Sequence, residues 1–387
     1  MRKINLGAVG LGRAFSLMAP AFADPRVSLA GAADPRPEAR RLFEREHGAP
    51  AFASLEELLG HQPLDAVYIA TPHRLHAGQA CLAAAHGKHV LVEKPMALSL
   101  DECRSMIEAA RKAGVQLVVG HSHSFDAPIL ETRKLIDSGQ YGAVRMITAL
   151  YFTDFLYRPR RPEELDAALG GGAVLNQGAH QVDIARLLGG GRVKSVRAQV
   201  GAWDRERPAE GAYCALLEFE NGAFASLVYS GYAHFDADEL SDWVSELGLR
   251  KDPERYGAAR KALREADEAQ LKDQRSYGGP GFTPGSGKRL HEHFGPLIVS
   301  CEKADLRPLP TGIAIYADDG KRFHPLAPPA LPRAEVIDEL HAAIAHGRPA
   351  LHSGEWAMAT LEACLAIRRS AHEGKDIPLE NQTGLRT

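Results

Sequence analysis

The segment INLGAVGLG at residues 4–12 is a short apolar run that closes with two glycines one residue apart. A buried strand that runs through a glycine turn into a helix is typical of dinucleotide-binding sheets, because glycines let the backbone approach a pyrophosphate closely. Phe15 occupies the position where the usual fingerprint has a third small residue, so we expect the helix to sit differently against the strand. The residues expected beside the phosphates are Gly10, Leu11, Gly12, Arg13 and Ala14.

The second predicted strand, at residues 27–33, is followed by Asp34, 22 residues after Gly12. A carboxylate at this place can accept hydrogen bonds from both adenosine ribose hydroxyls, whereas the alternative is an ordinary turn at residues 34–37. Asp34 would repel a 2′-phosphate and favours NAD. Arg36 would attract one, so NADP stays an alternative cofactor.

Short β-rich runs alternate with helical stretches up to about residue 125, which predicts a doubly wound parallel sheet of the Rossmann type. Consecutive strands follow, with a hairpin turn at Asn221-Gly222, and predict an antiparallel sheet in an α+β domain. We therefore expect an α/β chain with a Rossmann domain at residues 1–125 and a substrate domain at residues 126–387. Residues 236–290 are expected to be an insertion, either a solvated helix with a mobile loop or a lid, and residues 355–372 the last helix.

The composition is that of a globular protein without a global attraction to polyanions. The 387 residues include 46 basic and 49 acidic side chains, so nucleic acid and anionic membranes are not expected as partners. The five cysteines are scattered without a CxxC pair, which predicts neither disulfides nor a zinc site. No apolar run approaches the roughly 18 residues that a membrane helix needs, so we expect a cytoplasmic chain that binds a small molecule.

Polar groups follow two further predicted strands. Because the carboxyl ends of parallel strands face the ligand crevice, these groups are expected beside the cofactor. A charged pair at the end of an apolar strand is costly unless it faces a site, the alternative being a strand end that reaches water. The residues are Thr71, Pro72, His73 and His76 after the strand at 66–70, and Glu93 and Lys94 after the strand at 89–92.

These features together resemble the Gfo/Idh/MocA family of oxidoreductases. The motif Glu93-Lys94-Pro95, and a glycine run at residues 170–172 that leads to Asn176 and His180, carry the resemblance over most of the chain. It implies that Lys94 is the catalytic lysine and His180 a second acid/base in a cleft between the two domains. It also implies that the second domain has a large open sheet, which often mediates homo-oligomers such as dimers or tetramers.

The chain departs from the family pattern at one site position. The usual aspartate is Asn176 here, which cannot ionise, so we assign Asn176 to binding substrate or orienting His180. Asp183 is either a partner of His180 or a helix-surface residue. Glu93 is expected to hold Lys94 or the nicotinamide ribose in place.

Two stretches bear on the substrate. The loop at residues 152–162 has three arginines among aromatic residues and prolines, which suits a flat anionic substrate, although a solvated basic loop is the alternative. The segment at residues 120–126 has two histidines on one side of an alternating run. Without a third ligand at a recognisable spacing, we expect substrate contacts there and no metal site. The expected contacts are Tyr157, Arg158, Arg160 and Arg161 from the loop, and His121 and His123 from the segment.

The segment at residues 120–125, the arginine loop and residues 232–235 resemble the branch of this family that oxidises phthalate 4,5-cis-dihydrodiol. The resemblance implies hydride transfer to NAD from a cis-dihydrodiol of an aromatic dicarboxylate, and then tautomerisation to a catechol. A sugar or polyol dehydrogenase is the rival enzyme. A dinucleotide-binding sensor without catalysis is the rival of another class.

Overall fold

The computed structural model describes residues 3–61, 63–280 and 287–385. The chain forms two compact units, of which the first comprises Met1–His121, Ala269–Ser286 and Ala330–Met358. The second comprises Ser122–Glu268, Gly287–Pro329 and Ala359–Thr387. Two late segments thus pack with the Rossmann part, although the sequence assigned them to the second domain. Residues 281–286 of the predicted insertion lie outside the described residues.

The first unit is built on a six-stranded parallel sheet with the order β3-β2-β1-β4-β5-β6. The strand order reverses next to β1, which is the doubly wound Rossmann arrangement that the alternating pattern predicts. The strands are β1 (Ile4–Val9), β2 (Val27–Ala33), β3 (Ala51–Phe52), β4 (Ala66–Ile69), β5 (His89–Val92) and β6 (Leu117–Val119). They are largely buried, as expected for a sheet covered by helices.

Local capping sets the bounds of several helices. Ser99 begins the fifth helix as a capping box, because the Glu102 N–H donates to Ser99 Oγ and the Ser99 N–H donates to the Glu102 carboxylate. Gly114 ends this helix in the left-handed conformation, with φ of 66°. The helices are α1 (Arg13–Met18), α2 (Pro37–His47), α3 (Leu55–His61), α4 (His76–Ala85), α5 (Leu100–Ala113), α6 (Ala127–Asp137), α7 (Ala179–Gly189), α8 (Ala258–Glu265), α9 (Glu268–Gln274), α10 (Ala334–His346) and α11 (Gly354–Glu373).

The second unit is built on a nine-stranded open sheet with the order β14-β13-β12-β11-β7-β10-β9-β8-β15. Its neighbours pair antiparallel except β7 and β10, which pair parallel, so the sheet is mixed but mostly antiparallel. The Asn221-Gly222 turn joins β9 to β10 as predicted, with φ of 85° at Gly222. The strands are β7 (Val144–Phe152), β8 (Val193–Gly201), β9 (Ala212–Phe219), β10 (Phe224–Ser230), β11 (Leu297–Cys301), β12 (Ala304–Leu309), β13 (Gly312–Ala317), β14 (Gly320–Pro325) and β15 (Ile377–Pro378).

One face of this second sheet exposes several large apolar side chains. The strand register places alternate residues of β7, β9, β10, β11, β13 and β14 on the same side, opposite the buried Ile147 and Tyr151. The same face also carries the charged Glu218, Asp305 and Lys321. Exposed apolar side chains grouped on one face are a common mark of an interaction surface. The exposed side chains on this outer face are Met146, Leu216, Phe224, Ile298, Tyr316 and Phe323.

The charged stretch at residues 253–275, within the predicted insertion, contains the two short helices α8 and α9. The predicted insertion is not solvated throughout, because Ser276 and Tyr277 are buried in the first unit. None of the described helices combines the length and the apolar character required to cross a bilayer.

Candidate active site

Four adjacent strands of the first sheet end at the same level. Val9 pairs with Ala33 on one side and with Ile69 on the other, and Ile69 pairs with Val92. The residues that follow these strand ends therefore share the carboxyl edge of the sheet, where doubly wound proteins bind their ligands. They are Gly10, Asp34, Ala70 and Glu93.

The glycine turn has two glycines with different physical requirements. Gly10 has φ of 89°, and a Cβ there would lie 2.8 Å from Thr71 Cγ2 and 2.9 Å from the Ala70 carbonyl. Gly10 is therefore required by the protein's own packing. A Cβ on Gly12, at the start of α1, would meet no heavy atom within 4 Å. The open space beside Gly12 suits a ligand that lies against the backbone, as the pyrophosphate of NAD would.

Asp34 is 5% exposed and accepts four hydrogen bonds. Its Oδ2 accepts from the Leu11 N–H at 2.7 Å and from Arg36 Nη2 at 3.3 Å. Its Oδ1 accepts from the Arg36 N–H at 2.9 Å and from Arg36 Nε at 3.1 Å. Four donors fill the acceptor capacity of a carboxylate. The ribose contact that the sequence predicts for Asp34 thus requires the Arg36 side chain, which also donates to the Leu11 carbonyl, to move aside.

Phe15 explains how α1 tolerates a large residue at the third fingerprint position. Its ring is buried and packs edge-on against Tyr277, with the ring centroids 5.1 Å apart, and also contacts Phe43. The Tyr277 hydroxyl donates to Glu46 at 2.6 Å. An aromatic cluster of Phe15, Phe43 and Tyr277 replaces the close helix packing that a small residue would allow. Tyr277 belongs to the predicted insertion.

The ends of β4 and β5 are joined by His76. Its ring nitrogens lie 2.9 Å from the Thr71 carbonyl oxygen and 3.0 Å from the Pro95 carbonyl oxygen. The side chain is fully buried, and this burial lowers its pKa. His76 therefore positions the two loops from behind the edge. His73 is partly exposed and packs against the His76 ring.

Glu93 and Lys94 follow β5 directly. Glu93 is buried, and the Tyr68 hydroxyl donates to its Oε1 at 2.6 Å. Burial, and then the charge of Glu93, raise the pKa of Tyr68, so the phenol stays a donor. Lys94 is partly exposed, unlike its buried neighbours. The glutamate is thus held by a phenol that sequence reasoning did not single out, while the lysine stands nearer the solvent.

In the second unit a π-helical turn, Val174–Gly178, leads into α7. It contains Asn176, whose Nδ2 donates to the Gly170 carbonyl at 2.9 Å and to the Gly172 carbonyl at 2.8 Å. Gly172 has φ of 93°, and a Cβ there would lie 2.6 Å from the Glu210 carboxyl carbon. Asn176 therefore fastens the glycine run, and π-helical turns of this kind are frequent at functional sites.

His180 lies in the first turn of α7 and is 6% exposed. Its Nδ1 accepts the His123 N–H at 3.3 Å, and its ring packs against those of His123 and Phe294 at centroid distances of 4.7 and 4.9 Å. A neutral His180 ring with an accepting Nδ1 carries its proton on Nε2 and can donate it to a ligand. Nδ1 of His123 lies 2.7 Å from Asp126 Oδ2.

Asp183 is buried, so the helix-surface alternative for this residue is wrong. Its carboxylate accepts hydrogen bonds from the hydroxyls of Ser124 and Thr360. Arg186, one turn further on, is fully buried and donates to Thr360, and its burial lowers its pKa to about 10. This network anchors α7 beneath His180.

The three arginines of the loop at residues 152–162 differ in how they are held. Arg158 pairs with Glu246 at 2.6 Å and with Asp154 at 3.1 Å. Arg160 lies over the Phe155 ring, 3.7 Å from its centroid, and donates to the Phe155 carbonyl. Within the described residues the Arg161 guanidinium forms no ion pair. Arg158 and Arg160 are thus held by protein partners within the second unit.

Burial alone would raise the pKa of Glu246, but the Arg158 charge and, less strongly, the His123 charge lower it to about 2. Burial likewise opposes the charge of Arg158, while Glu246 and Asp154 raise its pKa. Glu246 was not expected from the sequence, since it lies 88 residues from its partner.

Tyr157 lines an open cavity of about 530 Å³ in the second unit. Its hydroxyl donates to Asp204 at 2.9 Å, and the Arg260 guanidinium lies 3.7 Å from its ring centroid. The described lining includes Trp203 but neither His180 nor Asn176. Tyr157 and His180 therefore face different surroundings in this unit.

Two family models match the chain. One, described as an oxidoreductase family with an NAD-binding Rossmann fold, matches residues 4–121, and the GFO/IDH/MocA C-terminal domain matches residues 129–244. The 1-carboxy-3-chloro-3,4-dihydroxycyclohexa-1,5-diene dehydrogenase of Comamonas testosteroni is 47% identical over 372 residues, or 94% of each chain. The 1,5-anhydro-D-fructose reductase of Ensifer adhaerens is 35% identical over 190 residues, 47% of this chain and 56% of that protein.

Solved structures of dehydrogenases have a similar fold. A crystal structure of a Bordetella bronchiseptica RB50 protein has a TM-score of 0.93 at 44% identity and covers 97% of this chain and 100% of its own. The WlbA dehydrogenase from Bordetella pertussis, in complex with NADH and UDP-GlcNAcA, has a TM-score of 0.69 at 26% identity and covers 98% and 99%. NAD is therefore the cofactor, and relatives that are named dehydrogenases argue against a sensor without catalysis. The chain belongs to the Gfo/Idh/MocA family of NAD-dependent oxidoreductases.

Proposed function

We propose that this chain oxidises a cis-dihydrodiol that carries at least one carboxylate on a cyclohexadiene ring, phthalate type included, and yields a catechol. One observation carries the proposal: a relative 47% identical over 94% of both chains is named for a carboxylated dihydroxycyclohexadiene. Such a product is strongly favoured, because the ketone formed first regains aromaticity when it tautomerises.

The proposed reaction removes a hydride from one carbinol carbon and a proton from its oxygen. Gly12 and Asp34, on the carboxyl edge of the first sheet, would hold NAD⁺, which would supply the hydride acceptor. A neutral Lys94 takes the hydroxyl proton, since a lysine can act as a general base when it is deprotonated. The ketone then loses the hydrogen of the neighbouring carbinol carbon and gains a proton on its oxygen, so that two hydroxyl groups remain on the aromatic ring.

His180 is the second acid/base in this proposal. The hydrogen bond from the His123 N–H to its Nδ1 supports a ring that presents the Nε2 proton. That proton can hydrogen-bond the reacting oxygen as its charge develops. Asn176, with its Nδ2 held by Gly170 and Gly172, is a positioning residue for the turn before α7.

Arg161 is the proposed carboxylate contact that requires the least rearrangement. Arg158 would have to leave Glu246 and Asp154, and Arg160 would have to leave the Phe155 carbonyl. An arginine fork binds a carboxylate through two parallel N–H donors. We assign the anion contact to Arg161 and the shaping of its loop to the other two arginines.

A matched substrate series tests the proposal. Wild-type chain with NAD⁺ is given the cis-dihydrodiols of benzene, benzoate and phthalate, with inositol and glucose as the polyol arm, and NADH absorbance is followed. We expect a carboxylate to raise kcat/KM by about 10–100-fold over the benzene diol, the value of a charge-assisted hydrogen bond. Turnover of inositol or glucose together with none of the dihydrodiols would refute the proposal.

Arg161→Ala separates the anion contact from general damage. It should raise KM for the carboxylated diols and leave the benzene diol unaffected, while the exposed Arg255→Ala changes neither. An equal loss on the charged and uncharged diols would remove Arg161 from the substrate site.

The polyol alternative keeps one supporting observation, the partial match to an anhydrofructose reductase. That match spans about half of this chain, whereas the dihydrodiol relative spans nearly all of it. The polyol arm of the series decides between them.

We also propose that the apolar outer face of the second sheet joins copies of this chain into a dimer or tetramer. Leu216 and Phe224 lie on this face and are each 42% exposed. Leu216→Glu should shift the sedimentation coefficient toward the monomer. Leu169→Glu, at an exposed leucine outside the sheet, should not. A wild-type chain that sediments as a monomer contradicts this proposal.

A further inference from the structure

Three buried side chains with metal-binding atoms lie together in the second unit. His123 and Asp126 stand before α6, and Glu292 stands before β11. Their ligand atoms all lie within 4.8 Å of one another, and the residues are 4%, 6% and 8% exposed. We propose that His123, Asp126 and Glu292 form a binding site for one divalent transition-metal ion.

The charges of this cluster favour a cation. Two carboxylates placed together in a buried region repel each other and lose hydration, which is costly unless positive charge compensates them. Nδ1 of His123 lies 2.7 Å from Asp126 Oδ2, close to the spacing of two ligands on one ion. A divalent ion would compensate the two carboxylates and leave the imidazole neutral, as a metal ligand requires.

The distances among His123, Asp126 and Glu292 allow a divalent ion to replace the proton between His123 and Asp126. Ligands about 2.1 Å from a metal lie about 3.0–3.4 Å apart in octahedral or tetrahedral geometry. The His123–Asp126 pair would therefore open by only a few tenths of an ångström, and Glu292 would close toward it. Ser122, next to His123 in sequence, has a buried Oγ without a hydrogen-bond partner among the described residues.

The donor set selects the metal. One imidazole and two carboxylates suit Zn²⁺ and Mn²⁺, whereas Mg²⁺ prefers oxygen ligands and keeps several of its waters. This site could not be predicted from the sequence, because Glu292 is 166 residues after Asp126 and no short motif joins them. The inference stands apart from the proposed oxidation, because its test measures metal occupancy and not turnover.

The test uses the untagged full chain, stripped with a chelator and dialysed. Zn²⁺ is titrated in competition with a chromogenic chelator, and metal content is measured by mass spectrometry. We expect one Zn²⁺ per chain, at least tenfold weaker binding in Glu292→Gln and Asp126→Asn, and no change in the exposed control Glu163→Gln. Mg²⁺ at the same concentration should not displace Zn²⁺. Zn²⁺ affinity that is equal in wild type and Glu292→Gln overturns the proposal.

A second measurement needs no variant. A wild-type crystal soaked in Zn²⁺ should show an anomalous-scattering peak within about 2.3 Å of an atom of each of the three residues. Peaks only at other residues would mark surface binding and overturn the site. The crystal experiment therefore stays valid if a variant fails to fold. Thermal unfolding and NADH fluorescence of each variant would reveal such a failure.

Discussion

The carboxyl edge of the first sheet and the histidine cluster of the second unit are assembled by different means. At the edge, groups follow adjacent parallel strands, and backbone register alone brings them to one level. The histidine cluster consists of His123, His180 and Glu292, which come from distant segments. The His123 N–H donates to His180 Nδ1, and the His123 and Glu292 side chains lie within 4.8 Å of each other. The edge therefore has a geometry that tolerates changes of side chain, whereas each group of the cluster depends on its neighbours.

Ion pairs in the two units show a similar difference. Asp34 pairs with Arg36, two residues away in sequence, so this ion pair lies within one turn of the chain. Arg158 pairs with Glu246, 88 residues away, and so fastens one loop to another. We expect substitutions at the first pair to alter ligand preference and substitutions at the second to alter stability.

The largest expected effect concerns the edge. Lys94→Met should lower kcat by about 10²–10⁴-fold, the usual contribution of a positioned general base, while NADH still binds. Stopped-flow turnover and NADH fluorescence measure the two properties separately. Lys112→Met, on the exposed face of α5, is the matched control. A Lys94→Met chain with wild-type kcat would mean that the edge binds the cofactor without supplying the base.

The next effect concerns the distant ion pair. Glu246→Gln should lower the free energy of unfolding near neutral pH by about 2–3 kcal/mol, because a charged Arg158 loses its nearer partner. Since the pKa of Glu246 is lowered from 4.5 to about 2, the contribution is complete above pH 4.5 and is lost as the pH falls toward 2. The difference between wild type and variant should shrink over that range.

Urea unfolding at several pH values measures this dependence, with the exposed Glu163→Gln as the control. A difference that stays constant down to the lowest pH would show that the carboxylate charge is not what stabilises the loop.

Much of the first sheet follows from local sequence signals. The bounds predicted for β2 and β5 agree with the structure, because apolar runs act over a few residues. β14 was not predicted, since it is a polar, exposed edge strand that is defined by pairing with β13. Tyr277 packs on Phe15, 262 residues earlier, so no local pattern could assign that segment to the first unit.

The two regions also differ in how far their residues could be foreseen. The predicted strand ends identified Asp34 and Glu93. The structure was needed to show that Arg36 and Tyr68 donate hydrogen bonds to these two carboxylates. In the second unit, Phe294 lies against His180, yet 114 residues separate them. The run of two histidines and a glutamate at residues 291–293 is a local signal in this segment that the sequence-based prediction did not use.

A smaller effect tests whether the Asp34–Arg36 pair governs cofactor preference. Arg36→Ala exposes the Asp34 charge, which then repels a 2′-phosphate. The ratio of the Kd for NADPH to that for NADH should rise about tenfold, or about 1.4 kcal/mol. NADH and NADPH fluorescence titrations measure it, and the exposed Arg41→Ala should leave the ratio unchanged. A ratio that falls in Arg36→Ala would show that the guanidinium was not neutralising Asp34.

The smallest expected effect tests whether the Ser99 capping box stabilises only its own helix or also affects the carboxyl edge. Ser99→Ala removes the acceptor for the Glu102 N–H and should lower the free energy of unfolding by about 1 kcal/mol. Ser105→Ala, an exposed serine on the same helix, should change it by less than about 0.5 kcal/mol. Because the capping box touches only its own turn, NADH affinity and kcat should both stay at wild-type values. A loss of NADH binding in Ser99→Ala would mean that α5 is coupled to the carboxyl edge, and the edge would then be as interdependent as the histidine cluster.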